Sequence, residues 1–516
     1  MDRGVTVALV AMAAAVFVIA NDVTALSVAL PDIEREFDSD VTTVQWVINA
    51  YALVFGVLIV TGGRLADLFG RRRVFFVGSA VFAAFSLLGA LAQSDIWLIV
   101  CRALMGIGGA MMWPAILGMT YAALPEDKAG LAGGLIIGSA GFGNAAGPLI
   151  GGAITDSFGW QWVLVLNLPV AGLACAATWY AIHQPAVEFE DRHIDYAGVG
   201  ALTGGLVALL LALDQATDWG WGDPRIVGLF ATCAALLVAF ALIERRGGAG
   251  ALIPRDVIAN RNFRFVCLAV LLMSATFFAA LLYLPQFMQK VLGYDPLEAG
   301  AGLLPMMGTF AAVSFAAGPL YERLGAKAVV SAGAVCLALG PFLISQIDSG
   351  SDYIALVPGM VVLGLGVGLF YSSVTTAGVT ALDPSRSSLA GGIVYMFQVA
   401  GGSVGLGLTT AIFTTAAQDK LEGDVSSTGA SLTGGDLDAV HGVLAGTDSA
   451  KQVVARFPED VSDRLVELVR DAFAAGMQWA FRIVALMALV GLVVSVLYVG
   501  GSLFRRRRAD PATAEA

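Results

Sequence analysis

Long apolar runs, each closed by a short polar break, repeat along almost the whole of this chain. They fall near residues 5–31, 42–63, 74–93, 96–122, 131–154, 162–183, 197–214, 225–243, 263–288, 297–318, 328–347, 353–378, 389–416 and 478–503. A helix needs about 20 mainly apolar residues to cross a hydrocarbon core about 30 Å thick. The pattern therefore predicts an all-α polytopic membrane protein with fourteen transmembrane helices. Composition agrees: 58% of residues are hydrophobic and 13% charged, against about 45–50% and about 25% in soluble domains. The 62 glycines would weaken soluble helices but let membrane helices approach closely. Cys101, Cys175, Cys233, Cys267 and Cys336 all sit inside apolar runs, so no disulfide framework is expected. Segment 5–31 reads as a retained helix, not a cleaved leader.

Lys and Arg set the expected orientation. Arg71 to Arg73, the group Arg245, Arg246, Arg255, Arg261 and Arg264, the pair Arg323 and Lys327, and Arg505 to Arg508 all follow even-numbered spans. Loops after odd-numbered spans carry few cations, chiefly Arg35, Arg225 and Lys290. Both termini are expected in the cytoplasm of a plasma-membrane protein. The net charge is −11, with much of the acid between Asp32 and Asp40 and between Asp419 and Asp471. Segment 417–477 would be an extracytoplasmic loop, flexible near Ser426 to Gly435. An amphipathic helix is expected there at Val461, Leu465, Leu468, Val469 and Phe473.

The chain also repeats itself. Gly63, Leu65, Asp67, Gly70 and Arg72 after span two match Gly318, Leu320, Glu322, Gly325 and Lys327 after span ten. Leu131 to Gly134 opens span five as Leu389 to Gly392 opens span thirteen, and Gly143 and Gly147 align with Gly401 and Gly405. Two like-oriented halves follow, with spans seven and eight inserted between them. The expected domains are an N-terminal six-helix bundle (1–185), the inserted pair with linkers (186–260), a C-terminal six-helix bundle (261–504) and a cytoplasmic tail (505–516). Repeats of this kind suit a transporter that rocks one half against the other around a midplane cavity.

Four stretches in order resemble the major facilitator superfamily, and more closely its fourteen-helix drug:proton antiporters. They are Asn21 to Pro31 in span one, Gly63 to Arg73 after span two, Arg102 to Gly109 in span four, and Gly143 to Gly152 in span five. The chain departs from the family pattern at Asn21, Ser27 and Leu68. The resemblance implies two six-helix bundles in a pseudo-twofold arrangement plus two inserted helices. It also implies an antiport motif at Gly143, Gly147, Pro148, Gly151 and Gly152, whose spacing gives a smooth helix face and whose proline permits a bend. This helix is expected between the halves, helping to seal one side.

A carboxylate deep in an apolar span is costly and usually marks an ion or substrate path. Asp22 and Arg102 both lie about 20–22 Å from the cytoplasmic edge at about 1.5 Å per helical residue. They are expected to meet across the cavity. A nearby guanidinium favours an ionised carboxyl and burial disfavours it, so changing access would load or release a proton. On the cytoplasmic face, Gly63 and Gly70 allow a tight approach and turn. Asp67 would accept from the N-terminus of span thirteen near Ser387, with Arg71 and Arg72 pairing to Asp67 or to lipid phosphates. Glu322 and Arg323 would do likewise for the other half. The cavity is expected at Gln45, Trp46, Asn49, Tyr51, Trp113, Asn144, Phe277, Tyr283, Gln286, Tyr371, Tyr395 and Gln398, where aromatics and amides would hold amphipathic molecules. The second half shows no intramembrane carboxylate.

The function expected is proton-coupled export of drugs or other amphipathic compounds by a monomer whose partners are substrate, protons and lipid. A proton-coupled nutrient importer and a non-transporting sensor remain alternatives. No P-loop run is present, so ATP hydrolysis is not expected. No enzymatic activity, metal, cofactor or nucleic-acid partner is expected either.

Overall fold

The computed structural model describes residues 3–182, 194–247, 251–427 and 459–500, and every regular element among them is helical. The basic cluster and tail beyond 500, the Ser/Thr/Gly-rich stretch from 428, and all three histidines, His183, His193 and His441, lie outside the described residues. The helices are α1 (Arg3–Val28), α2 (Leu30–Phe37), α3 (Val41–Phe69), α4 (Arg71–Ala90), α5 (Asp95–Ala122), α6 (Ala129–Phe158) and α7 (Gln161–Ala181). The inserted pair is α8 (Tyr196–Trp219) and α9 (Pro224–Gly247). Then come α10 (Arg255–Ala259), α11 (Arg261–Lys290), α12 (Pro296–Gly302), α13 (Leu304–Leu324), α14 (Ala326–Ile344), α15 (Tyr353–Val379), α16 (Ser387–Ser427) and α17 (Glu459–Tyr498). Fourteen described segments are long and apolar enough to cross a membrane.

Local chemistry explains the breaks. Asp40, Ser94, Asn260 and Asp352 each accept a backbone N–H in the first turn of the helix that follows, meeting donors that a helix start leaves unpaired. Asp295 and Glu298 form a reciprocal capping box on α12. Gly70 and Gly325 take φ of +97° and +87° between consecutive helices, at equivalent places in the two halves.

Three expected boundaries shift. The acidic stretch after span one forms the short helix α2, and the tenth span is split at Leu303, with Pro305 in the first turn of α13. The amphipathic stretch around Phe473 is not a separate helix. It is the N-terminal extension of the last span, continuous through α17. Its buried positions Val469, Ala472 and Phe473 meet the equally extended α16, with Phe473 edge-on to Phe413 at 5.0 Å. Apolar spacing in register with the span keeps one helix going beyond the apolar segment that starts at Val466.

The two halves pack helix against helix, α1 with α6 and α7, α3 with α4 and α5, and likewise α11 with α16 and α17, α13 with α15, and α14 with α15. They meet along two related seams, α3 with α16 and α6 with α13. A Cβ added at Gly63 would lie 2.7 Å from the Ser388 carbonyl oxygen, and one at its repeat partner Gly318 would lie 2.8 Å from that of Gly130. The next pair obeys the same rule: Gly392 against Ile59 at 2.7 Å, and Gly134 against Ser314 at 2.8 Å. Backbone thus meets backbone at twofold-related points. The inserted α8 packs on its partner α9 and on α3 and α16, straddling one seam, while only 11% of the apolar window of α9 is buried.

Helix α6 lies between the halves, but the antiport-motif glycines Gly143, Gly147 and Gly151 pack within the N-terminal bundle. A Cβ at Gly143 would lie 2.7 Å from the Phe17 carbonyl oxygen, at Gly147 1.9 Å from the Thr24 hydroxyl, and at Gly151 2.2 Å from the Ala25 carbonyl oxygen. These three bind α6 to α1 within one bundle. The helix has a second smooth face, Gly130, Gly134, Gly138 and Gly141, and this one meets α13. Gly152 and Pro148 fall between them, and α6 runs through Pro148 unbroken.

Gly151→Ala should separate α6 from α1 and lower thermal stability by about 1–3 kcal/mol. Gly172→Ala, where nothing lies within 4 Å of the new Cβ, should not destabilise. Thermal unfolding in detergent, followed by intrinsic fluorescence, would compare the two.

Candidate functional site

Asp22 on α1 and Arg102 on α5 form a salt bridge with neither side chain exposed at all. Two unpaired charges could not remain in such a place, and the surroundings answer both. The Asn167 amide on α7 donates to Asp22 Oδ1 at 2.6 Å and to the Ser86 hydroxyl at 3.1 Å. Ser86 in turn donates to the Leu164 carbonyl at 2.8 Å. Arg102 Nε donates to the Val47 carbonyl at 2.9 Å, and its guanidinium lies 4.5 Å from the centre of the Tyr51 ring. Gly106 and Gly109, one and two turns on from Arg102, let α5 approach α3 closely enough for this: a Cβ at either would fall within 2.9 Å of Tyr51.

The pair was expected across the cavity. It lies instead inside the N-terminal bundle, among α1, α3, α5 and α7. Its connection to the seam is aromatic. Tyr51 stacks on Phe55 at 5.8 Å, and Phe55 meets Trp113 at 6.2 Å and Tyr395 of the second half at 5.3 Å. Asn167 and Ser86 are absent from the sequence-based set, because a lone amide or hydroxyl in an apolar span carries no pattern. Arg102 Nη2, Asn167 Oδ1 and the Tyr51 hydroxyl, and the Oδ1 of Asn21 beside Asp22 in sequence, are buried with no protein partner.

At the arginine-rich end, Asp67 accepts from the backbone N–H of Leu389 at 2.8 Å and of Ser388 at 3.3 Å, at the start of α16. The second half repeats this: Glu322 Oε1 accepts from the N–H of Leu131 near the start of α6 at 3.3 Å. Acid at a helix N-terminus is favoured by both hydrogen bonding and the helix dipole. Arg71 bonds Asp67 at 3.3 Å, the Gly118 carbonyl at 2.9 Å and the Pro384 carbonyl at 2.6 Å, so it ties α4 to the chain entering α16. Asp383 shapes that entry. Hydrogen bonds from the Ser385 hydroxyl and N–H hold its carboxyl below the usual range. Arg72 does not share this arrangement. It donates to the Trp179 carbonyl at 3.2 Å and lies over the Trp179 ring, inside its own half. Arg323 is exposed.

The residues expected to form one cavity divide among several places. Trp46 and Asn49 line a cavity of about 350 Å³ with α8, α11 and α16. Trp113, Tyr395 and Gln398 line a much smaller void of about 10 Å³ at the seam. Tyr51 serves Arg102. Phe277 packs on Phe278 and Phe310, Tyr283 bonds Thr410 and stacks on Phe413, and Tyr371 bonds Ser274, all as packing within the second half. Gln45, Asn144 and Gln286 line neither space. The sequence reading also missed Asp214 on α8, which lines the larger cavity. It falls at the predicted end of span seven and reads there as a boundary.

The chain matches the Major Facilitator Superfamily over residues 12–195 and 196–406. It is 33% identical over 439 residues to the puromycin resistance protein pur8 of Streptomyces alboniger, covering 84% of this chain and 86% of that one. It is 28% identical over 503 residues to the tetracenomycin C resistance and export protein of Streptomyces glaucescens, covering 98% and 92%. Similarity to the multidrug transporter protein MdtP of Bacillus subtilis (strain 168) is 28% over 514 residues, covering 96% and 93%. Among solved structures, that of the human organic anion transporter MFSD10 (TETRAN) superposes with a TM-score of 0.63 at 12% identity, over 96% of this chain and 100% of that one, a likeness of fold alone. This chain therefore belongs to the Major Facilitator Superfamily, within its fourteen-helix drug:proton antiporter family.

Proposed function

We propose that this exporter carries amphipathic organic compounds out of the cell in exchange for protons, with Asp22 as the proton carrier. The observation that carries the reading is the fully buried Asp22–Arg102 pair, joined by Asn167 on one side and by the Tyr51–Phe55–Tyr395 aromatic run on the other. Burying an ion pair is seldom a gain in stability over apolar packing, so its presence argues for use. When Asp22 is ionised it accepts from Arg102 and from the Asn167 amide. When it takes a proton the attraction to Arg102 falls away. Asn167 offers both an NH₂ and a carbonyl oxygen, so a rotated amide accepts from the new carboxylic O–H. Arg102, loosened from Asp22, shifts against Tyr51, and the aromatic run delivers that shift to the seam. Such a coupling requires proton and substrate to favour opposite arrangements of the seam.

The arginine-rich end is read as cytoplasmic. Asp67 and Glu322 then close the cytoplasmic side through the helix starts of α16 and α6, and the structure corresponds to the arm of the cycle shut to the cytoplasm. Relatives named for resistance to puromycin and for export of tetracenomycin C support outward transport of drug-sized organic molecules.

Asp22→Asn should abolish proton-driven transport in proteoliposomes while leaving the melting temperature and substrate counterflow measurable. Transport that keeps its full response to an imposed pH gradient in this variant would refute the assignment. The latch has its own test. Removing a charge-assisted hydrogen bond costs about 1.5–3 kcal/mol. Asp67→Ala and Glu322→Ala should each raise opening at the cytoplasmic end about tenfold or more. Maleimide labelling of Leu117→Cys, a buried site, in a background lacking the five native cysteines would read this. Arg323→Ala should leave the labelling rate unchanged.

A further inference from the structure

A cavity of about 280 Å³ opens at the arginine-rich end of the seam between α6 and α13. Both halves line it, with Glu126 and Asp127 from the first, Glu322 and Ala326 from the second, and Gly500 just past the last helix. The repeat shows what the matching place at the other seam holds. Ala326 stands between Gly325 and Lys327 as Arg71 stands between Gly70 and Arg72. The offset that pairs Leu131 with Leu389 pairs Glu126 and Asp127 with Pro384 and Ser385. Each of those pairs lies on a single 3₁₀ turn leading into α6 or α16. At the other seam the Arg71 guanidinium lies in the middle, bonding Asp67 and the carbonyls of Gly118 and Pro384. Here an alanine takes the place of that arginine, and Glu126 takes the place of the Pro384 it bonds. The cradle is kept and made more acidic, while its own loop no longer supplies the guanidinium. Lys128 and Lys327, neighbours in sequence, do not line the cavity.

The chain passes this opening as it leaves α17. Gly500 takes φ of +67°, and its N–H donates to Asn262 Oδ1 at 3.1 Å. A Cβ there would lie 2.9 Å from the Cβ of Ala326, so the small side chain at 326 lets the chain run directly over it. Tyr498 stacks on Phe265 at 4.1 Å and fixes the exit. The sequence then continues through Gly501, Ser502, Leu503 and Phe504 to Arg505, the first of four arginines that lie outside the described residues. Five residues reach at most about 18 Å, which brings the cluster within range of the cavity that Gly500 itself lines. Four cations are thus tethered beside two exposed carboxylates, Glu126 and Asp127. One exposed ion pair contributes little alone, but a short tether holds its partner at an effective concentration of about millimolar.

We infer that this cavity is a docking site for the arginine cluster 505–508, which supplies from the far end of the chain the guanidinium that Arg71 supplies at the other seam. Docking joins Glu126 and Asp127 of the first half to a segment anchored on the second, and so straps that end shut. The bond from the Leu131 N–H to Glu322 stays in place. The inference goes beyond the export reading and requires neither proton coupling nor a substrate.

The test uses the full chain, free of its five native cysteines, in nanodiscs of neutral phosphatidylcholine. Lys128→Cys, an exposed site beside the cavity, and Ala509→Cys, just past the cluster, form the reporter pair. Their rate of disulfide formation under a mild oxidant reads docking. Glu126→Gln with Asp127→Gln should slow it at least about fivefold, and changing all four arginines to glutamate should do the same. Combining that tail with Glu126→Arg and Asp127→Arg should restore the rate. A rate indifferent to the two carboxylates would overturn the proposal, and if it fell instead with added phosphatidylglycerol, the arginines would belong on the membrane surface. Absence of any cross-link between the reporter pair would overturn it too. The strap is read separately, by maleimide labelling of Leu117→Cys. Changing the four arginines to glutamine should speed labelling about two- to fivefold, the scale of one exposed ion pair. An unchanged rate would overturn the strap. Neither measurement uses a pH gradient, so the outcome for Asp22→Asn in driven transport bears on the export reading alone.

Discussion

A carboxylate and a guanidinium with no exposed surface can share the middle of an apolar bundle only when each meets the other and the remaining lone pairs and protons are also engaged. Asp22 and Arg102 come near that condition through Asn167, the Val47 carbonyl and the Tyr51 ring, but not fully, since Arg102 Nη2 and Asn167 Oδ1 stay unpartnered. A pair satisfied at every atom would be a rigid strut. In the proposed mechanism, a pair held slightly short of that has a second arrangement, which a proton on Asp22 would select. The glycines of α5 and α6 follow from this constraint. Arg102 reaches its partners only because Gly106 and Gly109 bring α3 close, and α1 is held in register by Gly143, Gly147 and Gly151.

The seams between the halves use the same close approach for a different purpose. Gly63 and Gly318 bring backbones together at twofold-related points, and Asp67 and Glu322 then reach across to Leu389 and Leu131, which are themselves repeat equivalents. Duplication of the loop and of the helix start it recognises makes the interface self-consistent. Each half presents an acid to the other's helix N-terminus.

Much of this is legible from residues alone. The hydropathy pattern carries the helices, and the repeat predicts that Asp67 meets the start of span thirteen, because an acid after one span and a conspicuous helix opening in the other half share an offset. The limits are equally physical. Glycine spacing on α6 identifies a smooth face but not its partner, and α6 has two: the antiport-motif face meets α1, and the quieter Gly130 to Gly141 face meets α13. Depth arithmetic brings Asp22 and Arg102 to one level but says nothing of azimuth, so it cannot tell a cavity-spanning pair from one inside a bundle. Asn167 and Ser86 carry no sequence signal. Asp214 hides at a predicted helix end, where an acidic residue is usually a solvated cap.

These two uses of glycine imply a division of labour in any switching motion. Contacts between α1 and α6 are close packing of glycines against the Phe17 and Ala25 carbonyls and the Thr24 hydroxyl, and in the proposed mechanism they hold the N-terminal bundle together while the seams move. The contacts at the arginine-rich end of the seams include acid-to-helix hydrogen bonds that water can replace the moment that end opens. In the proposed mechanism, the free energy of opening is a difference between similar hydrogen bonds, which a buried titration would then bias. The inserted α8 fits this division, since it rests on both α3 and α16 and must yield at one of them. A helix bound to both sides of a seam would feel any rearrangement of that seam.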